Sequence, residues 1–242
     1  MDITQLILTT VAALVALTIH EYAHGYVAYR LGDYTAKSMG RLSLNPIKHL
    51  DPFGALCMVL FHFGWAKPVP IDPRNFKNPR RGFAITALAG PATNLVVGFF
   101  TAFFYLLGIS TFKYTSVAYL NALQTNLLLF LFYFFLVNVG LGIFNLIPVP
   151  PFDGSRILNV VLPRKWYFRI MKYERQIYWC VIAWLFLGDN VYDMLMRVPL
   201  VANVPALSAI LRIFSLSDIL SGAINGIANG MLSFWSLIPA LG

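Results

Sequence analysis

An apolar run from Ile3 to Ala28 is long enough to cross a bilayer, yet its last third carries His20-Glu21-Tyr22-Ala23-His24. A run of that length reads as a membrane-spanning helix, because about 20 apolar residues cover the hydrocarbon core. Three ionisable side chains inside such a span are costly and are rarely there by accident. His20 and His24 stand four apart, so a helix places them one above the other on one face. Two imidazoles so placed can bind one zinc ion, with Glu21 close enough to act on a water there. Polar contact between neighbouring spans is the blander reading of the same residues.

The rest of the 242-residue chain suits a membrane setting. It is 58% hydrophobic and 12% charged, with a mean hydropathy of +0.68, whereas soluble domains are about 25% charged. This length fits one bundle of spans, so residues 1–242 read as a single membrane-embedded domain, with the chemistry-bearing motifs inside 1–160. The formal charge of +8 does not point to nucleic acid. The basic residues cluster in short loops between apolar runs, the pattern of cytoplasmic loops beside anionic lipid. Cys57 and Cys180 lie in apolar stretches and read as small hydrophobes, not as a disulfide. The first run lacks a basic region ahead of it and carries the motif, so it is expected to be retained and not cleaved as a signal peptide.

Arg30, Lys37, Arg41 and Lys48 follow the first span and place its C-terminal end in the cytoplasm. Residues 32–52, punctuated by Gly32, Gly40, Asn45-Pro46 and Asp51-Pro52, suit a small strand or hairpin. The run from Phe53 to Trp65 is too short to span and has basic loops on both sides, so it reads as re-entrant or interfacial. Further spans are expected over about 83–107, 126–147 and 177–196. The connection over 108–125, with Lys113 as its one basic residue, faces outward; the cluster Arg164, Lys165, Arg169, Lys172 and Arg175 faces the cytoplasm. Residues 199–242 read as one or two helices at the membrane surface or against the bundle. The fold class is an all-α polytopic membrane protein, a bundle of about four to six transmembrane helices with a short re-entrant or β-hairpin insertion after the first.

Pro148, Pro150 and Pro151 end the third span just before Asp153 and Gly154. Irregular backbone at that depth is tolerated only where it is buried in protein or lines a wet cavity. Charge counting puts the ends of the first and third spans on the same side, so His20, His24 and Asp153 can meet. A catalytic zinc site has three protein ligands and an exchangeable position. His49, His62 and several carboxylates can supply the third ligand. Asp153 is favoured, because it follows the proline run and precedes a glycine that permits close approach.

His20-Glu21-Tyr22-Ala23-His24, Gly90-Pro91-Ala92-Thr93-Asn94 and Asn145 through Gly154, with Gly64-Trp65-Ala66-Lys67-Pro68-Val69-Pro70 between the first two, cover roughly residues 1–160. In this order the chain resembles the site-2 protease family of intramembrane zinc metalloproteases, in its compact prokaryotic form without PDZ-like or CBS-like modules. The resemblance implies that His20, His24 and Asp153 bind one Zn2+ and that Glu21 is the general base for the attacking water. It implies that Asn94 and Asn145 contact the substrate backbone or the developing oxyanion. It also implies a transmembrane protein substrate, cut within or near its membrane segment in regulated intramembrane proteolysis. The enzyme would lie in the cell membrane, its active site towards the cytoplasm, with a homo-oligomer left open. Interhelical hydrogen bonding is the other reading of the two asparagines. For the whole chain the alternative is a non-proteolytic membrane zinc-binding or transport protein, and Glu21 argues against it because such a site needs no base. His49 and Asp51 read as loop residues, His62 as a packed polar residue, and Glu174 as half of a surface ion pair.

Overall fold

The computed structural model describes residues 2–61, 66–112, 117–198 and 215–239. Three helices among them are long and apolar enough to cross a membrane: α1 (Ile3–Arg30), α4 (Pro79–Thr111) and α5 (Ala118–Asn145). Between α1 and α4 lie two short helices, α2 (Thr35–Ser38) and α3 (Pro52–Phe61). After α5 come α6 (Gly154–Val161), α7 (Arg164–Lys172), α8 (Glu174–Met196) and α9 (Leu216–Trp235). The protein is an all-α, multi-pass membrane protein.

Local chemistry sets the ends of the long helices. Asp2 and Gln5 form a reciprocal capping box at the start of α1. Asn78 caps α4, and Pro79 takes the first helical position, where no N–H is needed. With 33 residues, α4 measures about 50 Å at 1.5 Å per residue, well beyond a core of about 30 Å. The sequence pattern had marked only its apolar centre. The α5 helix likewise begins earlier than expected, and Lys113 of the preceding connection lies outside the described residues.

The three spans pack through small residues, as helices must where lipid offers no hydrophobic drive for association. Ala12, Ala16, Ala23 and Ala28 are the buried aliphatic positions of α1, and Ala84, Ala87 and Ala102 those of α4. A methyl group on Gly142 of α5 would come within 2.7 Å of Leu95 and 3.1 Å of the Pro91 carbonyl. The tail helix α9 closes the far side. Ala228 joins Ala102, Phe135 and Val139 in a buried cluster, and the Trp235 indole donates to the Phe99 carbonyl at 2.8 Å.

Two expectations for the periphery change. No strand forms over residues 36–52: the described residues hold one isolated bridge, Leu50 with Ala66, and Lys67 N–H donates to the His49 carbonyl at 2.8 Å. Gly40, at φ +66°, turns the chain, and Asn45-Pro46 starts a 3-10 turn, so no ladder can extend. The insertion contains a helix instead: α3 has ten residues, about 15 Å, half the hydrocarbon thickness. His62, Gly64 and Trp65 lie outside the described residues. The stretch expected as a fourth span is helical, as α8, but it carries Glu174, Arg175, Asp189 and Asp193 and is not among the described helices apolar enough to cross a membrane.

Residues 66–76 form a strap across the C-terminal half of α1. Arg41 donates to the Lys67 and Pro68 carbonyls at 2.7 and 3.2 Å. Asp33, fully buried, accepts from the Asp72 N–H at 2.7 Å and the Asn75 amide at 2.8 Å, as well as from Thr35. Burial alone would push the Asp33 pKa up. The bonds from the Thr35 hydroxyl, the Asn75 amide and the two backbone N–H groups outweigh it and hold the carboxyl below the usual carboxylate range. A folded-state pKa below the unfolded value of about 3.9 means that this stabilisation is complete above that pH and is lost as pH falls through the lowered value. Thermal unfolding in detergent at pH 6 and pH 3 is therefore expected to show a larger acid loss for the wild type than for Asp33→Asn. Equal losses would mean that the Asp33 charge does not hold the strap.

Candidate metal centre

His20 and His24 lie on the buried face of α1, 4% and 6% exposed. Asp153 stands at the start of α6, after the proline turn. The helix that carries it is tied to α4: the Arg80 guanidinium donates to the carbonyls of Asn159, Val160 and Leu162, which α6 leaves without intrahelical partners. Phe144 and Phe152 pack edge to face, ring centroids 4.3 Å apart, and brace the turn between α5 and α6.

Three donor atoms converge. His20 Nε2 and His24 Nε2 are 3.0 Å apart, and Asp153 Oδ2 lies 3.1 and 3.2 Å from them. The opposite ring nitrogens define their chemistry. His24 Nδ1 faces the Thr86 carbonyl at 2.7 Å, which only accepts, so Nδ1 carries the hydrogen and, in the neutral ring, Nε2 keeps the lone pair. His20 Nδ1 donates to Asn94 Oδ1 at 2.6 Å, which leaves its Nε2 bare as well. Two lone pairs and a carboxylate oxygen at this spacing repel one another unless a positive charge sits among them. Tetrahedral ligands at the usual Zn–N and Zn–O lengths stand about 3.3–3.4 Å apart, so the donors fit Zn2+ to within a few tenths of an ångström. Two histidines and one carboxylate also leave the fourth position open, as catalytic zinc requires. Among the described residues, this is the cluster able to hold a metal.

A cavity of about 410 Å³ opens on the cluster. His20, Glu21, Asn145 and Asp153 supply its polar lining, and Leu17, Leu141, Phe144, Val181 and Ile182 much of its apolar wall. Glu21 points to the cavity, with Oε2 accepting from the Val69 N–H of the strap at 2.8 Å. Gly25 keeps α1 bare where Val69 packs, since a methyl there would lie 3.1 Å from its side chain. Asn145 donates to the Leu141 carbonyl one turn back at 3.0 Å.

The structure brings together His20, Glu21, His24, Asp153 and Asn145. Asn94 is placed differently from the expectation. It is fully buried behind His20, and its amide nitrogen donates to Asn138 at 2.8 Å and to the Ala16 carbonyl at 3.3 Å. Its polar atoms are engaged inside the bundle with His20, Ala16 and Asn138, and it is not part of the cavity lining. His49 is also apart from the cluster, with Nε2 on the Ser43 carbonyl, and Asp51 caps α3 through the Gly54 N–H. Glu174 pairs with Arg156, as a surface ion pair should. Sequence reasoning missed Asn138, the Thr86 carbonyl and the Val69 N–H. Asn138 alone carried a signal: an amide inside an apolar span, two turns before Asn145 on the same helix.

A zinc-metalloprotease centre on a multi-pass membrane bundle is the class of protein that this fold and site define. The chain belongs to peptidase family M50, whose model matches residues 8–187. It is 44% identical over 153 residues to "Putative zinc metalloprotease YwhC" of Bacillus subtilis, covering 63% of this chain and 68% of that one. It is 29% identical over 166 residues to "Putative zinc metalloprotease Rip2" of Mycolicibacterium smegmatis, covering 63% and 56%. It is also 29% identical over 152 residues to "Zinc metalloprotease MJ0392" of Methanocaldococcus jannaschii, where the match spans 63% of this chain but only 33% of the relative. No solved structure matches the chain.

Gly90 of α4 forms the floor of the centre. A methyl group there would lie 2.5 Å from His24 Nε2 and 2.7 Å from His20 Nε2, against ring atoms that cannot retreat. Gly90→Ala is therefore expected to reduce zinc in the purified, detergent-solubilised protein from about one per chain to near none, read by atomic absorption. Full zinc retention would show that the donors do not crowd this glycine.

Proposed function

We propose that this protein is an intramembrane endopeptidase that hydrolyses a peptide bond within or near a transmembrane segment of another membrane protein. The observation that carries this reading is the shared cavity: Glu21, His20, Asp153 and Asn145 line one space whose other walls are apolar. In this reading His20, His24 and Asp153 hold the zinc, which when bound acidifies water and polarises the scissile carbonyl. Glu21 takes the proton of the attacking water and passes it to the leaving amine. The Val69 N–H, at 2.8 Å from the Glu21 carboxylate, keeps that base turned to the cavity. Asn145 is the neutral donor for the developing oxyanion, since an amide adds no charge to a low-dielectric site. The apolar walls, from Leu17 to Ile182, suit the side chains of a membrane segment. A helical substrate hides its carbonyls in its own hydrogen bonds, so a few residues must unwind before attack.

Arg30 ends α1, and Lys37, Arg41 and Lys48 follow it, which supports an active site near the cytoplasmic surface of the cell membrane. Cleavage there releases the cytoplasmic part of a substrate, the output that regulated intramembrane proteolysis requires. Glu21→Gln in proteoliposomes with a single-span substrate is expected to lower the cleavage rate by about 10²–10⁴-fold while zinc content is kept. Cleavage is read by the mass of the released fragment. A variant that holds zinc and behaves as the wild type in every assay would replace this reading with a non-catalytic zinc-binding or transport role.

A further inference from the structure

The two zinc-facing histidines are oriented by unlike partners. His24 Nδ1 meets a backbone carbonyl, that of Thr86, which can accept and nothing else. His20 Nδ1 meets the side-chain amide of Asn94, whose oxygen and nitrogen ends differ little in shape and exchange on a half-turn of the amide. With the NH2 end turned to His20, the ring would keep its lone pair at Nδ1 and its hydrogen at Nε2. That hydrogen would then point into the donor cluster, and His20 would be lost as a ligand.

A relay that starts from a group unable to reverse prevents the flip. Asn138 donates through Nδ2 to the Phe134 carbonyl at 2.8 Å. Its Oδ1 is thereby turned to Asn94 and accepts from Asn94 Nδ2 at 2.8 Å. The Ala16 carbonyl, at 3.3 Å, is a second and longer restraint on the same NH2. Asn94 is left with its oxygen towards His20. Asn138 and Asn94 are both fully buried, so water cannot substitute for either partner, and each polarity follows from the one before it. The relay crosses the bundle from α5 through α4 to α1.

We infer that Asn138 is a positioning residue of the zinc centre: from two helices away it fixes the Asn94 amide and, through it, the Nδ1–H form of His20. The inference rests on the reading of His20 as a zinc ligand. It is tested by zinc binding without substrate, so a failed cleavage assay leaves it intact. Asn138→Leu removes the acceptor at similar size. Asn138→Asp keeps it, because a buried, protonated Asp can donate to the Phe134 carbonyl and accept from Asn94. Val139→Ala, in the buried cluster next door, is the control for loosened packing.

Zinc dissociation constants of the full chain in detergent, by chelator competition, are expected to weaken about tenfold for Asn138→Leu. They should stay near wild type for Asn138→Asp and Val139→Ala, although Val139→Ala melts lower. In the metal-free protein, ¹⁵N shifts of the His20 ring should show a single Nδ1–H form for wild type and a mixture for Asn138→Leu. Should the leucine variant fail to fold, Asn138→Ala carries the same expectation. Wild-type zinc affinity in the variant lacking the acceptor would overturn the inference. So would equal losses for the leucine and aspartate variants, which would reduce Asn138 to interhelical packing.

Discussion

His20 Nε2, His24 Nε2 and Asp153 Oδ2 face one another across 3.0–3.2 Å inside an apolar bundle, and each presents a lone pair. Without a cation between them this arrangement is repulsive, and in a low-dielectric interior the repulsion is strong. Much of the surrounding structure holds the three atoms in place. The Thr86 carbonyl and the Asn94 amide take the outer ring nitrogens. Gly90 leaves the floor empty. Arg80 binds the end of α6 to the start of α4, which keeps Asp153 at the depth of the histidines.

The same bundle separates two kinds of polar contact. Behind the histidines, the amides of Asn94 and Asn138 are buried and hydrogen-bonded to each other, Asn94 meets the His20 ring, and the Thr86 carbonyl meets the His24 ring. In front, Glu21 and Asn145 border a cavity; Glu21 accepts from a strap N–H, and Asn145 donates to the preceding helical turn. The groups at the cavity stay open on one side, whereas those behind the donor cluster are enclosed. The strap over residues 66–76 joins the two regions, since Asp33 and Arg41 hold it from outside the membrane spans while its Val69 N–H reaches the Glu21 carboxylate.

Much of this was legible in the residues. Four-residue spacing put both histidines on one helical face, and charge counting put Asp153 on the same side, because helix periodicity and loop charge act locally along the chain. The conformation of residues 36–52 was not legible. Gly40-Arg41-Leu42-Ser43-Leu44 has a strand-like alternation, but a turn at Gly40 and a proline at 46 leave it without a partner edge. An amide near a metal motif suits a substrate or a neighbouring helix equally well in the sequence, and only packing places Asn94 behind His20. Asn138 passed unnoticed because its significance lies in contacts with α4, far away in sequence.

The sequence by itself determined the membrane setting, the helical class and the placing of His20, Glu21 and His24 together on the first helix. Those follow from composition, from a 3.6-residue period and from the cost of charge in lipid. The tertiary structure alone decided which amides face the metal and which face the cavity, how the Asp153 helix is tied down, and which hydrogen each histidine carries. Those depend on the polarity of groups contributed by other helices. A buried amide or imidazole takes its orientation from the nearest donor or acceptor that cannot turn, and no local pattern in the chain encodes where that group will be.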